Sequence, residues 1–281
     1  MVKLGELRRC ATELFEKNGV EEARADADFL LSYLAEADMG ELILGDKKID
    51  FETERKIRAA LERRIAGEPV QYITGRCEFF GCEFKVNSST LIPRADTEIL
   101  VEKAAELIEK NRLKTLLDIG AGSGCIGISL LLQCKVLRAS LLDFSENALK
   151  TAVENAKSLG VYERAEFLHE DILKADEDKI GHYDIIVSNP PYIESETVKT
   201  LDEKVKNYEP LSALDGGADG LLFYKSITAL AAKCGGFLAF EIGYNQAESV
   251  YGIMSEYFEN IKEYKDYGGN SRVLVGKNKQ I

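Results

Sequence analysis

Apolar positions recur with a helical period over the first seventy residues. Leu4, Leu7, Ala11, Leu14 and Phe15 form one stripe, which Asn18-Gly19 would end, and Phe29, Leu30, Tyr33 and Leu34 form a second. Ile57, Ala60, Leu61 and Ile65 form a third, which stops at Gly67-Glu68-Pro69 because proline cannot continue a helix. These stripes predict a small helical domain over residues 1–75. From Cys77 to Val86 the period drops to two, with Phe79, Phe84 and Val86 among polar residues and Gly81 near the middle. That pattern predicts a β-hairpin, read as a linker over residues 76–90.

Past Ile92-Pro93-Arg94, a helix carrying Ile99, Leu100, Ala104, Leu107 and Ile108 opens an alternation of apolar strands and amphipathic helices over residues 91–281. Strands are expected at Thr115–Ile119, Ala139–Asp143, Ala165–His169, Asp184–Ser188, Phe237–Ile242, Ile261–Asp266 and Arg272–Gly276. Strand and helix in turn imply a parallel, doubly wound α/β sheet whose ligand sits beyond the carboxyl ends of the strands, at the topological switch point. The last two strands, joined through Gly268-Gly269-Asn270, are expected to be antiparallel. The polar stretch from Ile193 to Gly220 reads as a substrate loop, and the charge-rich stretch from Glu170 to Lys179 as a solvated face.

Composition narrows the chemistry. With 36 Lys+Arg against 48 Asp+Glu the formal net charge is −12, which opposes binding that rests on neutralising many phosphates. Direct nucleic-acid binding is therefore not expected. The six cysteines include no C-x-x-C pair and there are only two histidines, so zinc spacing is absent and the thiols are read as reduced and cytosolic. No apolar run approaches the ~18 residues of a membrane span. A soluble, cytoplasmic protein, with a monomer favoured, is the expectation.

Two motifs carry the chemistry. Leu116-Leu117-Asp118-Ile119 runs directly into Gly120-Ala121-Gly122-Ser123-Gly124 and then into a helical stretch. Glycines let the backbone turn sharply and approach a ligand, and the helix amino terminus offers unpaired N–H groups. Asp143 closes the next strand, where its carboxylate can accept hydrogen bonds from both hydroxyls of a ribose. Together these features point to an adenosine cofactor. Gly122, Gly124 and Gly127 also satisfy the dinucleotide G-x-G-x-x-G pattern, so a nicotinamide cofactor stays open. The first glycine after the strand is Gly120, however, and that register favours S-adenosylmethionine, which has no pyrophosphate to cradle. Asp171, just after the third strand, is placed to accept from an adenine amino group.

The fourth strand empties into Asn189-Pro190-Pro191-Tyr192 at the same sheet edge. Consecutive prolines fix the backbone and remove two donors, which leaves a cage of acceptors. Such a cage suits methylation of a planar nitrogen whose lone pair is delocalised. If the Asn189 side-chain oxygen and the Pro190 carbonyl each accept one N–H, the NH₂ group is oriented toward the cofactor, and Tyr192 can pack on its flat face. Orientation and electrostatic preorganisation then supply the catalysis without an obligatory general base. The acceptor could be an amide, or the exocyclic nitrogen of adenine or cytosine.

With these residues in view, the chain resembles the HemK/PrmC family of glutamine methyltransferases that modify peptide chain release factors. The likeness extends to Gly67 through Gly75, Leu91-Ile92-Pro93-Arg94, Asp96-Thr97-Glu98, Tyr208-Glu209-Pro210, Asp219-Gly220-Leu221, Glu241-Ile242-Gly243 and Asn270-Ser271-Arg272. It implies a Rossmann-like, class I, seven-stranded methyltransferase domain behind a helical substrate-recognition domain, with S-adenosylmethionine as donor and the glutamine of a release factor's Gly-Gly-Gln loop as acceptor. Carried over by position, Gly120 through Gly124, Asp143, Asp171, Ile172 and Asn189 hold the cofactor, and Asn189 through Tyr192 the glutamine amide. Ala95 stands where the family usually has a second proline, so the loop from Ile92 to Glu98 is expected to be less rigid. A ribosomal-protein glutamine is an alternative acceptor.

Overall fold

The computed structural model describes residues 1–175 and 180–280, with the backbone alone at 203–205. Residues 176–179, the end of the charge-rich stretch, lie outside the described residues. Two compact units divide the chain, residues 1–76 and residues 77–281.

The first unit is helical, with Leu4–Lys17, Ala23–Leu34, Met39–Leu44, Phe51–Ile65 and Val70–Thr74, and a short antiparallel pair of β1 (Val2–Lys3) with β2 (Lys48–Ile49). Leu4, Leu7, Ala11 and Phe15 pack with Ala27, Leu30 and Leu31 and with Ile57, Ala60 and Leu61 to form its core. The buried face of the second helix is turned from the expected stripe: Tyr33 is exposed while Ala23 and Ala27 are buried. Small side chains permit close helix contact, and a pattern read from large residues does not see them. Arg64 Nε donates to the buried Asp26 at 2.7 Å, and Arg8 meets Asp28 through two bonds of 2.6 and 2.7 Å, which ties the helices by charge-assisted bonds.

In the second unit, β3 (Arg76–Phe79) and β4 (Cys82–Lys85) form the expected hairpin. It is no free linker. Phe79 and Phe84 are buried edge to face at 6.1 Å in the core of this unit, and the Asn155 side chain both accepts from Lys85 N (2.7 Å) and donates to Lys85 O (3.0 Å).

The seven-stranded sheet contains β5 (Thr115–Ile119), β6 (Arg138–Asp143), β7 (Ala165–His169), β8 (Tyr183–Ser188), β9 (Gly235–Glu241), β10 (Phe258–Lys265) and β11 (Ser271–Asn278). Its order is β10-β11-β9-β8-β5-β6-β7, parallel except for β11, which is antiparallel to both β9 and β10. Side chains alternate across it. Leu116, Leu141, Ile185 and Val187 meet the helices Thr97–Asn111, Cys125–Gln133 and Glu146–Ser158. Leu117, Leu142, Ile186 and Phe240 meet Leu222–Cys234 and Ala247–Ser255 on the other face. Burial on both faces explains why the central strands read as nearly continuous apolar runs.

Candidate active site

β6 leaves β5 on one side and β8 flanks it on the other, so the switch point of the sheet falls between β5 and β8. Ile119 is paired with Ser188, and the Ser188 hydroxyl donates to the Ile119 carbonyl at 2.7 Å, which locks the two carboxyl ends together. A cleft of about 430 Å³ opens beyond them. This is the size of a small-molecule site, typically about 300–1,000 Å³.

The glycine turn divides by function. Gly120 (φ +74°) and Gly122 (φ +57°) line the cleft and have open space where a Cβ would stand. Gly124 instead packs inward: a Cβ there would lie 2.7 Å from Ile128 Cδ1. Ala121 and Ser123 are buried and do not line the cleft. Thus Gly120 and Gly122, of the register that begins at the strand end, are the glycines that leave room for a ligand. Asp143 lines the cleft too, its Oδ2 accepting from Gly122 N and its Oδ1 from Ser145 N, both at 2.8 Å. Each oxygen retains a lone pair for a ligand. The cap of the helix Glu146–Ser158 is Ser145, not Asp143. Asp171 and Ile172 line the same cleft, although Asp171 already accepts from Leu173 N (3.0 Å) and Lys174 Nζ (2.7 Å). Phe144, half-exposed in the cleft, has its carbonyl bonded to His169 Nε2 at 2.9 Å. An aromatic residue directly after the strand-ending acid was the available signal for it.

Asp118 lies beneath this turn, fully buried, with Oδ2 accepting from Gly127 N at 2.9 Å and Oδ1 without a partner. Burial pushes its carboxyl up to about 7, opposed by the Gly127 N–H and reinforced by the charge of Asp143. Glu241, at the end of β9, is raised to about 7 by burial as well. The folded chain thus holds protons that the unfolded chain has lost, and stability falls as pH rises from the ordinary carboxylate range through about 7. Thermal melts from about pH 5 to pH 8 should show a falling midpoint. Asp118→Asn, which keeps a carbonyl for Gly127 N–H, should reduce that fall by roughly 2–4 °C.

Asn189, Pro190 and Pro191 line the same cleft as the glycine turn. Asn189 Nδ2 donates to Thr97 Oγ1 at 3.2 Å. Tyr192 is not among the residues that line the cleft: its partly buried ring packs against the core cluster that holds Tyr224 and Phe240, and burial raises its hydroxyl pKa. Its carbonyl accepts from Gln246 Nε2 at 3.0 Å, and Gln246 Oε1 accepts from Gly243 N at 3.1 Å, so a glutamine clamps the end of the loop.

The stretch from Ile193 to Gly220 is pinned beside the loop. Ile193 bridges to Asp215, with Ile193 N donating to Leu214 O (3.0 Å) and Gly216 N to Ile193 O (2.8 Å). Pro210, Ala213 and Asp215 from this stretch line the cleft. The loop from Ile92 to Glu98, with Ala95 in place of proline, is anchored at three points. Arg94 pairs with Glu209, Asp96 meets Arg272 Nη2 at 3.2 Å, and Glu98 Oε1 accepts from Phe80 N at 2.7 Å. Two ion pairs and one hydrogen bond thus tie this loop to its surroundings. Among the described residues, no helix is long and apolar enough to cross a membrane.

Comparison with known proteins agrees with this architecture. Residues 6–75 match the PrmC N-terminal domain and residues 95–206 the methyltransferase small domain. The release factor glutamine methyltransferase of Fusobacterium nucleatum is 42% identical, over 95% of this chain and 77% of that protein. Its namesake from Clostridium acetobutylicum is 37% identical over 89% and 90%. Among solved structures, the catalytic domain of hMettl16 in complex with a 3'UTR hairpin shares the fold at TM-score 0.57 and 15% identity, covering 89% of this chain and 91% of that one. An rRNA methyltransferase of T. thermophilus in complex with AdoMet and guanosine does so at TM-score 0.50 and 17% identity, covering 73% and 50%. Two domain matches and close relatives along nearly the whole length place this chain in the release factor glutamine methyltransferase family, with a class I methyltransferase fold.

Proposed function

We propose that the protein transfers a methyl group from S-adenosylmethionine to the side-chain amide nitrogen of the glutamine in the Gly-Gly-Gln motif of peptide chain release factors, in the cytoplasm. The observation that carries this reading is the pairing, across one cleft, of the Gly120–Gly122 turn and Asp143 with the Asn189-Pro190 acceptors. The cleft fits the cofactor: Gly120 and Gly122 leave room for close approach, Asp143 retains lone pairs for ribose hydroxyls, and Phe144 and Ile172 are apolar residues of the size an adenine ring packs against. When bound, S-adenosylmethionine supplies an electrophilic methyl carbon on a sulfonium.

A glutamine amide nitrogen is a weak nucleophile because its lone pair is shared with the carbonyl. Asn189 Oδ1 and the Pro190 carbonyl accept its two N–H bonds and so fix the direction of the lone pair. Charge that develops on the nitrogen as the new bond forms makes those N–H groups stronger donors. The two acceptors therefore bind the transition state more tightly than the ground state. One of the two amide protons passes to water, which leaves the methylated amide neutral. Pro190 and Pro191 contribute rigidity, having no N–H that would compete for the acceptors. The first unit, taken as a recognition domain over residues 1–75, holds the body of the release factor.

Transfer of a labelled methyl group to an intact bacterial release factor, a ribosomal protein and duplex DNA tests the reading. Label is expected in the factor; label in DNA alone would reassign the same acceptor cage to a base amino group.

A further inference from the structure

Asn189 serves as an acceptor only with its side-chain oxygen turned toward the cleft. An asparagine amide has donor and acceptor ends of nearly the same shape, so its neighbours decide which way it faces. Nδ2 donates to Thr97 Oγ1, and Thr97 opens the helix Thr97–Asn111 with only 3% of its surface exposed. A hydroxyl alone gives no direction, because it can accept from Nδ2 or donate to Oδ1 equally well. Glu241 breaks that symmetry. It follows Phe240, whose register partner on β8 is Ser188, so it stands beside Asn189 at the same sheet edge. Its backbone carbonyl is held by the Tyr224 hydroxyl at 3.0 Å, and its buried side chain stands against Thr97 and Asn189 with Oε2 lacking a partner.

We propose that Glu241 is a positioning residue: an acceptor standing against both the Thr97 hydroxyl and the Asn189 amide, it leaves the Thr97 oxygen able only to accept and draws Nδ2 inward, and this holds the Asn189 amide with its oxygen toward the substrate. The direction of the chain, carboxyl to hydroxyl to amide to glutamine, is thus set by a group that never touches the substrate. A proton on the carboxyl does not reverse it, since Oε2 has no partner and can carry that proton while the other oxygen accepts. Arg272, paired with Asp96 and Asp266, adds a positive charge nearby that favours the ionised carboxyl. The inference rests on the reading of Asn189 as the amide acceptor.

Thr97→Val, Thr97→Ser and Glu241→Gln test it in the full-length protein. Thr97→Val and Glu241→Gln should each lower kcat for release-factor methylation by roughly 10- to 100-fold, the size of effect expected from misplacing an orienting group. KM for the factor and the affinity for S-adenosylhomocysteine should stay nearly unchanged. Thr97→Ser should recover most of the loss. The losses in the double variant should fall well short of the product of the two single losses, because both residues hold the same amide. A readout without substrate or cofactor is the NMR signal of the Asn189 side-chain amide, assigned by its absence in Asn189→Ala. Its two protons should exchange slowly in the wild type and in Thr97→Ser, and rapidly in Thr97→Val and Glu241→Gln. An unmoved amide signal, or a kcat within about two-fold of wild type in the folded Thr97→Val and Glu241→Gln proteins, would overturn the proposal. Full activity of Asn189→Ala would instead remove the reading it rests on.

Discussion

Asn189→Ala should lower kcat for methylation of an intact release factor by roughly 10²- to 10³-fold, the loss seen when one preorganised charge-stabilising group is removed from an active site. Cofactor affinity should change little. Two features separate these effects. Asn189 lines the cleft from the carboxyl end of β8, whereas Gly120, Gly122, Asp143 and Phe144 come from the ends of β5 and β6 and the turns after them. The contribution of Asn189 also grows as the amide nitrogen loses its lone pair to the new bond, so it appears in kcat more than in KM. Asn189→Asp is the informative companion. It keeps an acceptor oxygen but loses the Nδ2 donor to Thr97, and it should fall between wild type and Ala.

Gly216→Ala should be nearly as damaging although it touches no substrate. A Cβ at Gly216 would stand 2.7 Å from Tyr192 Cα and 2.8 Å from the Pro191 carbonyl, both backbone atoms, so no side-chain rotation relieves the contact. The Asn189–Tyr192 segment must move. Its far end is tied to Gln246 and its near end to β8, so the displacement falls on the acceptors themselves. A shift of this kind, up to about 1 Å, costs about 10²-fold in kcat. The overpacking costs about 1–3 kcal/mol in stability, which thermal melts would register while the protein stays folded. Gly252→Ala is the control. Nothing lies within 4 Å of a Cβ there, inside the helix Ala247–Ser255, so activity should hold and stability rise by about 0.5–1 kcal/mol.

Much of the fold was legible because the central strands of the sheet are buried on both faces. β5 and β7 span the expected bounds, Thr115–Ile119 and Ala165–His169. The glycine turn and Asn-Pro-Pro-Tyr were readable for a different reason: each is contiguous, and its residue types are demanded by backbone geometry. What escaped the sequence was assembled from distant positions. Thr97, Glu241 and Arg272 are each part of a short recognisable motif, yet only the register of β8, β9 and β11 brings them around Asn189. Tyr192 was expected in the cleft because its motif is, but its partly buried ring packs against the core cluster while Gln246 holds its carbonyl. Likewise, Asp118 was read as one residue of a strand, and its buried, half-partnered carboxyl becomes visible only once the helix behind the glycine turn is in place.

Peptide mapping by mass spectrometry of a release factor incubated with the protein and S-adenosylmethionine is the most direct measurement. One added methyl group on the glutamine of the Gly-Gly-Gln motif, absent when that glutamine is replaced by alanine, is the predicted result. A methyl group on any other residue, or an unmodified factor beside methylated DNA, would contradict it.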